Sequence, residues 1–191
     1  LIVTLFIQLL SICWFAHKNM VVLINNMKLF LAGGGDKEAS FEFDKKFVAA
    51  LDFNKPLLYI PLALGDESHP YPECYKWISD TLNPLGVSDI TMWIEEDFKN
   101  KIENDFEKFS GIYIGGGNTF KLLKALKELG IFEILRILAH KDVPIYGGSA
   151  GAIIWGRSII SAIGYDENYL ELTDFSALDL VNGYEIWTHY S

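Results

Sequence analysis

From residue 27 onward the chain alternates short, solidly apolar runs with longer stretches whose apolar positions recur every three or four residues. The apolar runs predict strands at 29–32, 56–64, 89–94, 111–114 and 143–146. Pro61 lies inside the second run, and the strand is expected to end there because proline cannot donate to a ladder. Helical spacing predicts helices at 41–51 (Phe43, Phe47, Val48 and Leu51 on one face) and 71–82 (Tyr75, Ile78 and Leu82), and further helices are expected at 98–109, a charged stretch, 119–129, 131–140 and 152–156. Gly130 supplies the stop between the two helices on either side of it. Strands that alternate with helices and read as unbroken apolar runs imply an α/β chain, a parallel sheet covered on both faces. Ligands of such sheets bind beyond the carboxyl ends of the strands. Two glycine clusters fall at that edge, Gly115-Gly116-Gly117 and Gly147-Gly148 with Gly151.

The pattern breaks at both ends. Residues 1–16 are almost wholly apolar, too short to span a bilayer at the ~20 residues that requires and without the basic start of a signal peptide. They read as a clipped signal or anchor, an apolar helix, or, the reading favoured, translated sequence upstream of a start at Met27. On that reading residues 1–26 lie outside the fold and 27–191 form one α/β domain. No membrane association is expected unless the leader is real, and the expected location is the cytoplasm. The other end stops in an apolar aromatic segment, Trp187-Thr-His-Tyr-Ser191, as if cut inside the fold.

Composition narrows the function. Half of the 191 residues are hydrophobic and 21% are charged, enough for one well-packed domain and unlike a disordered chain. A net charge of −9 leaves no broad basic face, so nucleic acid is not an expected partner. Cys13 and Cys74 form no CxxC, and His17, His69, His140 and His189 form no HExxH. No metal or organic cofactor is expected. Trp77, Trp93 and Trp155 suit either a core or the interface of a homodimer.

The remaining chemistry centres on Gly147-Gly148-Ser149-Ala150-Gly151, a G-x-S-x-G between a strand and a helix. A sharp turn there exposes a serine hydroxyl, and the helix start offers N–H groups to a developing oxyanion. The plain alternative is a glycine turn with a helix-capping serine. Gly116, Gly117, Asn118 and Thr119 follow the neighbouring strand. The Gly117 N–H is a candidate for one half of an oxyanion hole and that of Ala150 for the other, with Asn118 or Thr119 as helix cap. A phosphate cradle is disfavoured because neither glycine-rich phosphate motif is met. A nucleophilic serine needs a base, and His189, in a strand-like apolar segment, is the candidate. His69, with Asp66 and Glu67 after the second strand, also borders this edge, whereas His140 suits a helix end. Spacing does not choose an orienting acid among Asp166, Glu167, Glu171, Asp174, Asp179 and Glu185.

IYIGGGNTFKLL at 112–123, GGSAGA at 147–152, and FSALDL at 175–180 followed by His189 together resemble the peptidase E family of serine peptidases, the aspartyl dipeptidases to which cyanophycinase is related. The resemblance spans residue 27 to the end. It implies a three-layer, mostly parallel sandwich similar to class I glutamine amidotransferases, a flavodoxin-like arrangement, with serine in place of their cysteine. It also implies a small peptide as substrate, Asp-X dipeptides among them, and an acyl-enzyme. By position Ser149 matches the nucleophile, His189 the base, and Gly117 and Ala150 the oxyanion amides. Asp166 matches an aspartate assigned to the triad; the other family candidate, a glutamate, would fall beyond Ser191. The rival expectations are an α/β-hydrolase-type esterase and a non-catalytic small-molecule-binding relative.

Overall fold

The computed structural model describes residues 19–24, 27–35 and 37–188. Six strands form one sheet: β1 (Asn19–Ile24), β2 (Met27–Ala32), β3 (Leu57–Ile60), β4 (Ile90–Met92), β5 (Gly111–Ile114) and β6 (Pro144–Gly148), in the order β1-β2-β6-β5-β3-β4. Every pairing is parallel except that of β1 with β2, which is antiparallel. The five helices are α1 (Lys37–Val48), α2 (Tyr71–Leu82), α3 (Thr119–Glu128), α4 (Phe132–His140) and α5 (Ala150–Ile153).

Alternation along the strands sorts the core into two layers. Leu29, Leu31, Leu58, Ile60, Ile112, Ile114 and Ile145 face α3, α4 and α5. Phe30, Leu57, Tyr59, Tyr113 and Tyr146 face α1 and α2. The sandwich is therefore three layers deep, and β3, β5 and β6 are buried at every position because both faces are covered. Helix α3 ends as its sequence dictates: Gly130 adopts φ +71, Ile131 N–H bonds Leu126 O at 3.1 Å and Gly130 N–H bonds Lys127 O at 3.2 Å. This is the paired hydrogen bonding of a glycine-terminated helix.

Two stretches differ from the sequence expectation. Residues 19–24, within the stretch expected to lie outside the domain, run antiparallel along β2 from Asn19↔Ala32 to Ile24↔Met27 and satisfy the backbone groups that β2 would otherwise present at an edge. Residues 1–18 of that stretch lie outside the described residues. The helix expected at 98–109 is instead two 3₁₀ turns, Glu95–Phe98 and Glu103–Phe106. Asp97 accepts from the Ile94 N–H at 2.9 Å and Asp105 from the Ile102 N–H at 2.8 Å. Such local bonds compete with a helix, and Asn100 at φ +64 breaks the run. The turns let Phe98, Phe106 and Phe109 close edge-on around Trp93 at 5.5, 5.2 and 5.1 Å. Trp93 and Trp155 are core residues, while Trp77 is partly exposed.

Neighbouring connections part between β2 and β6. Helix α1 leaves β2 for one face of the sheet, whereas α3 and α5 leave β5 and β6 for the other. The crevice of a parallel sheet opens where neighbouring connections part in this way, and here that point is the carboxyl end of β6.

Candidate active site

Ser149 follows β6 directly and caps α5 with φ +48 and ψ −109. A non-glycine residue in this region carries strain of about 1–3 kcal/mol and persists only where its surroundings fix it. The fixing contacts are short: Ser149 N–H donates to Ala32 O at 2.9 Å, and Ser149 O accepts from the N–H of Ala152 at 2.8 Å and of Ile153 at 3.0 Å. The flanking glycines are required by close approach. A Cβ on Gly147 would stand 2.2 Å from Gly151 O, and one on Gly151 would stand 2.3 Å from Ile114 O. The G-x-S-x-G pattern is thus the signature of a turn that only bare backbone can close. Helix α5 starts two residues earlier than expected and is one turn long, so its contribution at Ser149 is the local Ala150 N–H rather than a long-helix dipole.

The loop after β5 lies alongside. A Cβ on Gly116 would meet the Ser149 Cβ and Gly148 O at 3.2 Å each, which puts the two glycine loops in contact. Gly117 has φ +132, and a Cβ there would stand 2.5 Å from Ala63 O. Asn118 caps α3, its Oδ1 accepting from Lys121 N–H at 2.9 Å, while its Nδ2 donates to Glu167 O at 2.8 Å. Among the described residues no hydrogen bond uses the N–H of Gly117 or of Ala150.

Asp166 accepts from Thr119 N–H at 2.8 Å, so its carboxylate sits at the start of α3 beside the Gly117 loop. His189 lies outside the described residues, and with it any contact between base and acid; His17 lies outside them too. Glu185 binds the N–H and hydroxyl of Ser158 at 3.0 and 2.9 Å. Asp174 pairs with Lys127 at 2.8 Å, which with the Ser176 N–H holds its carboxyl well below the usual range. Asp179 accepts from Gly183 N–H at 3.0 Å. These three acids hold local turns and ties.

After β3, Asp66 accepts from Ser68 Oγ at 2.6 Å and from the N–H of Ser68 and His69 at 3.0 and 2.9 Å. These bonds, the Ser68 hydroxyl first, hold its carboxyl below the usual range. The exposed His69 ring stays in this turn, with Nδ1 3.0 Å from Ser68 Oγ. Lys121 ties the loop to α3 through Leu64 O. His140 ends α4, as its sequence position suggests. Among the described residues no group of His, Cys, Asp and Glu side chains is arranged to hold a metal ion, and no helix is long and apolar enough to cross a membrane. Cys74 is a buried free thiol and Cys13 lies outside the described residues.

Sequence reasoning passed over Asp44 on α1, which is 1% exposed. Its Oδ2 accepts from Ser40 Oγ at 2.7 Å. Its Oδ1 has no hydrogen-bond partner of good geometry among the described residues, although the Tyr146 hydroxyl is near enough to favour the charged carboxylate. Burial outweighs both hydroxyls and pushes the Asp44 carboxyl above its usual range. The available signal was an acid one position after Phe43 on a face otherwise carrying Phe47 and Val48.

The sequence model of peptidase family S51 matches residues 29–191. Peptidase E of Shewanella denitrificans is 32% identical over 150 residues, 74% of this chain and 60% of that protein. A Drosophila melanogaster protein assigned as an alpha-aspartyl dipeptidase is 30% identical over 106 residues, 55% of this chain and 41% of its own. The chain spans about half the length of the curated relatives it matches. Among solved structures, a protein of Listeria monocytogenes assigned to peptidase E superposes with a TM-score of 0.64 at 28% identity, over 81% of this chain and 75% of that one.

Proposed function

The chain belongs to peptidase family S51, and from that premise we propose that the protein hydrolyses small peptides, Asp-X dipeptides first among them, through an acyl-enzyme on Ser149. The observation that carries the reading is the Ser149 turn: a serine held at φ +48 at the carboxyl end of the central strand, against a second glycine loop. A serine positioned in this way meets the first requirement of nucleophilic catalysis, provided a base takes its proton.

In the proposed mechanism Ser149 Oγ attacks the scissile carbonyl carbon while His189 accepts the hydroxyl proton. The N–H groups of Gly117 and Ala150 receive the oxyanion, and Asp166 orients the base. His189 then protonates the leaving amine, and water resolves the ester. Asn118 shapes the oxyanion loop as the cap of α3, and Gly116 gives the substrate room beside Ser149. Aspartyl preference is supported by the alpha-aspartyl dipeptidase assignment of the Drosophila relative.

The test is hydrolysis by the full-length protein of a panel containing Asp-X, Glu-X, Ala-X and a β-aspartyl peptide, with Ser149→Ala in parallel. Turnover confined to Asp-X and lost in the variant supports the whole reading. Ester hydrolysis without dipeptide hydrolysis replaces it with an esterase. A well-folded protein that turns over none of these, with a Ser149→Ala variant indistinguishable from it, points to a binding role.

A further inference from the structure

The face of the sheet covered by α1 and α2 carries a row of aromatic residues across four strands. Phe30 pairs with Tyr146, Tyr146 with Tyr113, and Tyr113 with Tyr59. The rings of Tyr113 and Tyr146 stack at 4.3 Å with 12° between their planes, and Tyr59 meets Tyr113 edge-on at 5.8 Å. All three tyrosines are buried. Two residues further along each strand, on the same face, stand Gly148 after Tyr146 and Gly115 after Tyr113. These positions lack side chains, so the tyrosines lie directly beneath their backbone. The place of a Cβ on Gly148 is 3.7 Å from Tyr113 Oη and 3.8 Å from Tyr146 Cε1. The place of a Cβ on Gly115 is 3.2 Å from Tyr59 Oη. Gly148 immediately precedes Ser149, and Gly115 opens the loop that carries Gly117.

A shelf made only of rings would be satisfied by phenylalanine. This one carries hydroxyls, and it carries them next to Asp44, whose side chain is buried and whose Oδ1 lacks a well-formed bond among the described residues. A buried carboxyl is costly unless polar groups answer it. Ser40 answers one oxygen, and Phe43 and Phe47 of the same helix pack against Tyr146 and Tyr113 at 5.7 and 6.2 Å, which sets Asp44 over β6 and β5 beside the Tyr146 hydroxyl.

We propose that Asp44, Tyr113 and Tyr146 are positioning residues for the Ser149 turn: Asp44 fixes the orientation of the tyrosine hydroxyls, and the fixed rings hold the Gly148 backbone, hence Ser149, at the height of the Gly117 loop. The turn needs such support because Ser149 is strained and the one-turn helix after it supplies little rigidity of its own. The proposal deepens the reading of Ser149 as nucleophile and rests on that reading for its kinetic arm alone.

The experiment compares Tyr146→Phe, Asp44→Leu and Asp44→Asn with Leu135→Ala, a cavity variant in the opposite core layer, all in the full-length protein. Two quantities are read: kcat and KM toward a hydrolysed dipeptide, and amide hydrogen exchange in the peptide spanning 147–152. Tyr146→Phe and Asp44→Leu are expected to lower kcat roughly tenfold, with KM within about twofold. They are expected to speed exchange at 147–152 by a similar factor. Asp44→Asn keeps an acceptor and recovers most of both losses. Leu135→Ala lowers stability and changes neither quantity in the folded protein. Unchanged exchange in Tyr146→Phe, or an equal change in Leu135→Ala, overturns the proposal. Should Asp44→Leu not fold, Tyr146→Phe, which removes a single oxygen, still decides. Should the wild type hydrolyse neither peptide nor ester, the nucleophile reading fails, while the exchange result still decides this proposal.

Discussion

On one face the sheet meets α3, α4 and α5 with leucine and isoleucine; on the other it meets α1 and α2 with phenylalanine and tyrosine, and with a buried aspartate among them. Both faces exclude water, but they differ in what they specify. An aliphatic layer gains from area and fit and tolerates exchange of one shape for another. An aromatic layer with hydroxyls and a carboxyl has fewer acceptable arrangements, because each polar group must find its partner or incur a cost. The more demanding layer lies under Gly115 and Gly148, where the two glycine loops meet. The apolar bulk of the fold and the placement of its glycine loops are thus carried by different side chains.

The largest effects are expected at the loops themselves. Gly117→Val places a branched side chain where a Cβ already stands 2.5 Å from Ala63 O, at φ +132. Turnover is expected to fall by at least the ~10²–10³ that follows loss of one oxyanion donor. Steady-state kinetics on protein of native circular dichroism reads this effect, and near-normal turnover removes Gly117 from the site.

Next in size is a cavity in the aliphatic layer. Leu135→Ala is expected to destabilise the protein by about 2–5 kcal/mol in urea unfolding, with kcat of the folded fraction unchanged. A matching fall in kcat would mean that the two layers are not separate in function.

The polar contact at the start of α3 is smaller. Asp166→Ala removes the acceptor of the Thr119 N–H and is expected to cost about 1 kcal/mol of stability as a lost hydrogen bond. If Asp166 also orients the base, kcat falls far more than that figure implies, and comparison with Asp166→Asn separates the two roles.

The smallest effect is a dependence on pH in the aromatic layer. Burial raises the Asp44 carboxyl in the folded chain above its unfolded value. The folded state therefore holds a proton that the unfolded chain has released, and stability falls as pH rises from about 4, where an unfolded aspartate ionises, toward the raised value. Asp44→Asn is expected to flatten that decline, so its melting temperature gains on wild type across this window and matches the wild-type trend below it. Parallel curves at all pH values would show that Asp44 does not titrate on folding.

Much of this was legible from pattern. The helix at 71–82 and the strand at 111–114 appear with their expected bounds, because each has an uninterrupted period and a proline or glycine to close it. The turn at Ser149 was legible because its geometry demands glycines at fixed offsets, and such demands are written into sequence. The stretch 98–109 was misread because Asp97 and Asp105 bond to their own turns, a local choice that apolar spacing does not reveal. Asp44 escaped notice because one acid on an amphipathic helix reads as surface until the burial of that helix face is known. The pairing of 19–24 with β2 depends on a long-range register that no local pattern states.

Trapping the acyl group proposed to form on Ser149 is the decisive measurement. The full-length protein is mixed with an activated ester of N-terminal aspartate, quenched in acid during turnover, digested, and mapped by mass spectrometry. The account predicts an aspartyl adduct on the peptide containing Ser149 and none in Ser149→Ala. Turnover that leaves no adduct there, or an adduct on another side chain such as Cys74, would contradict it.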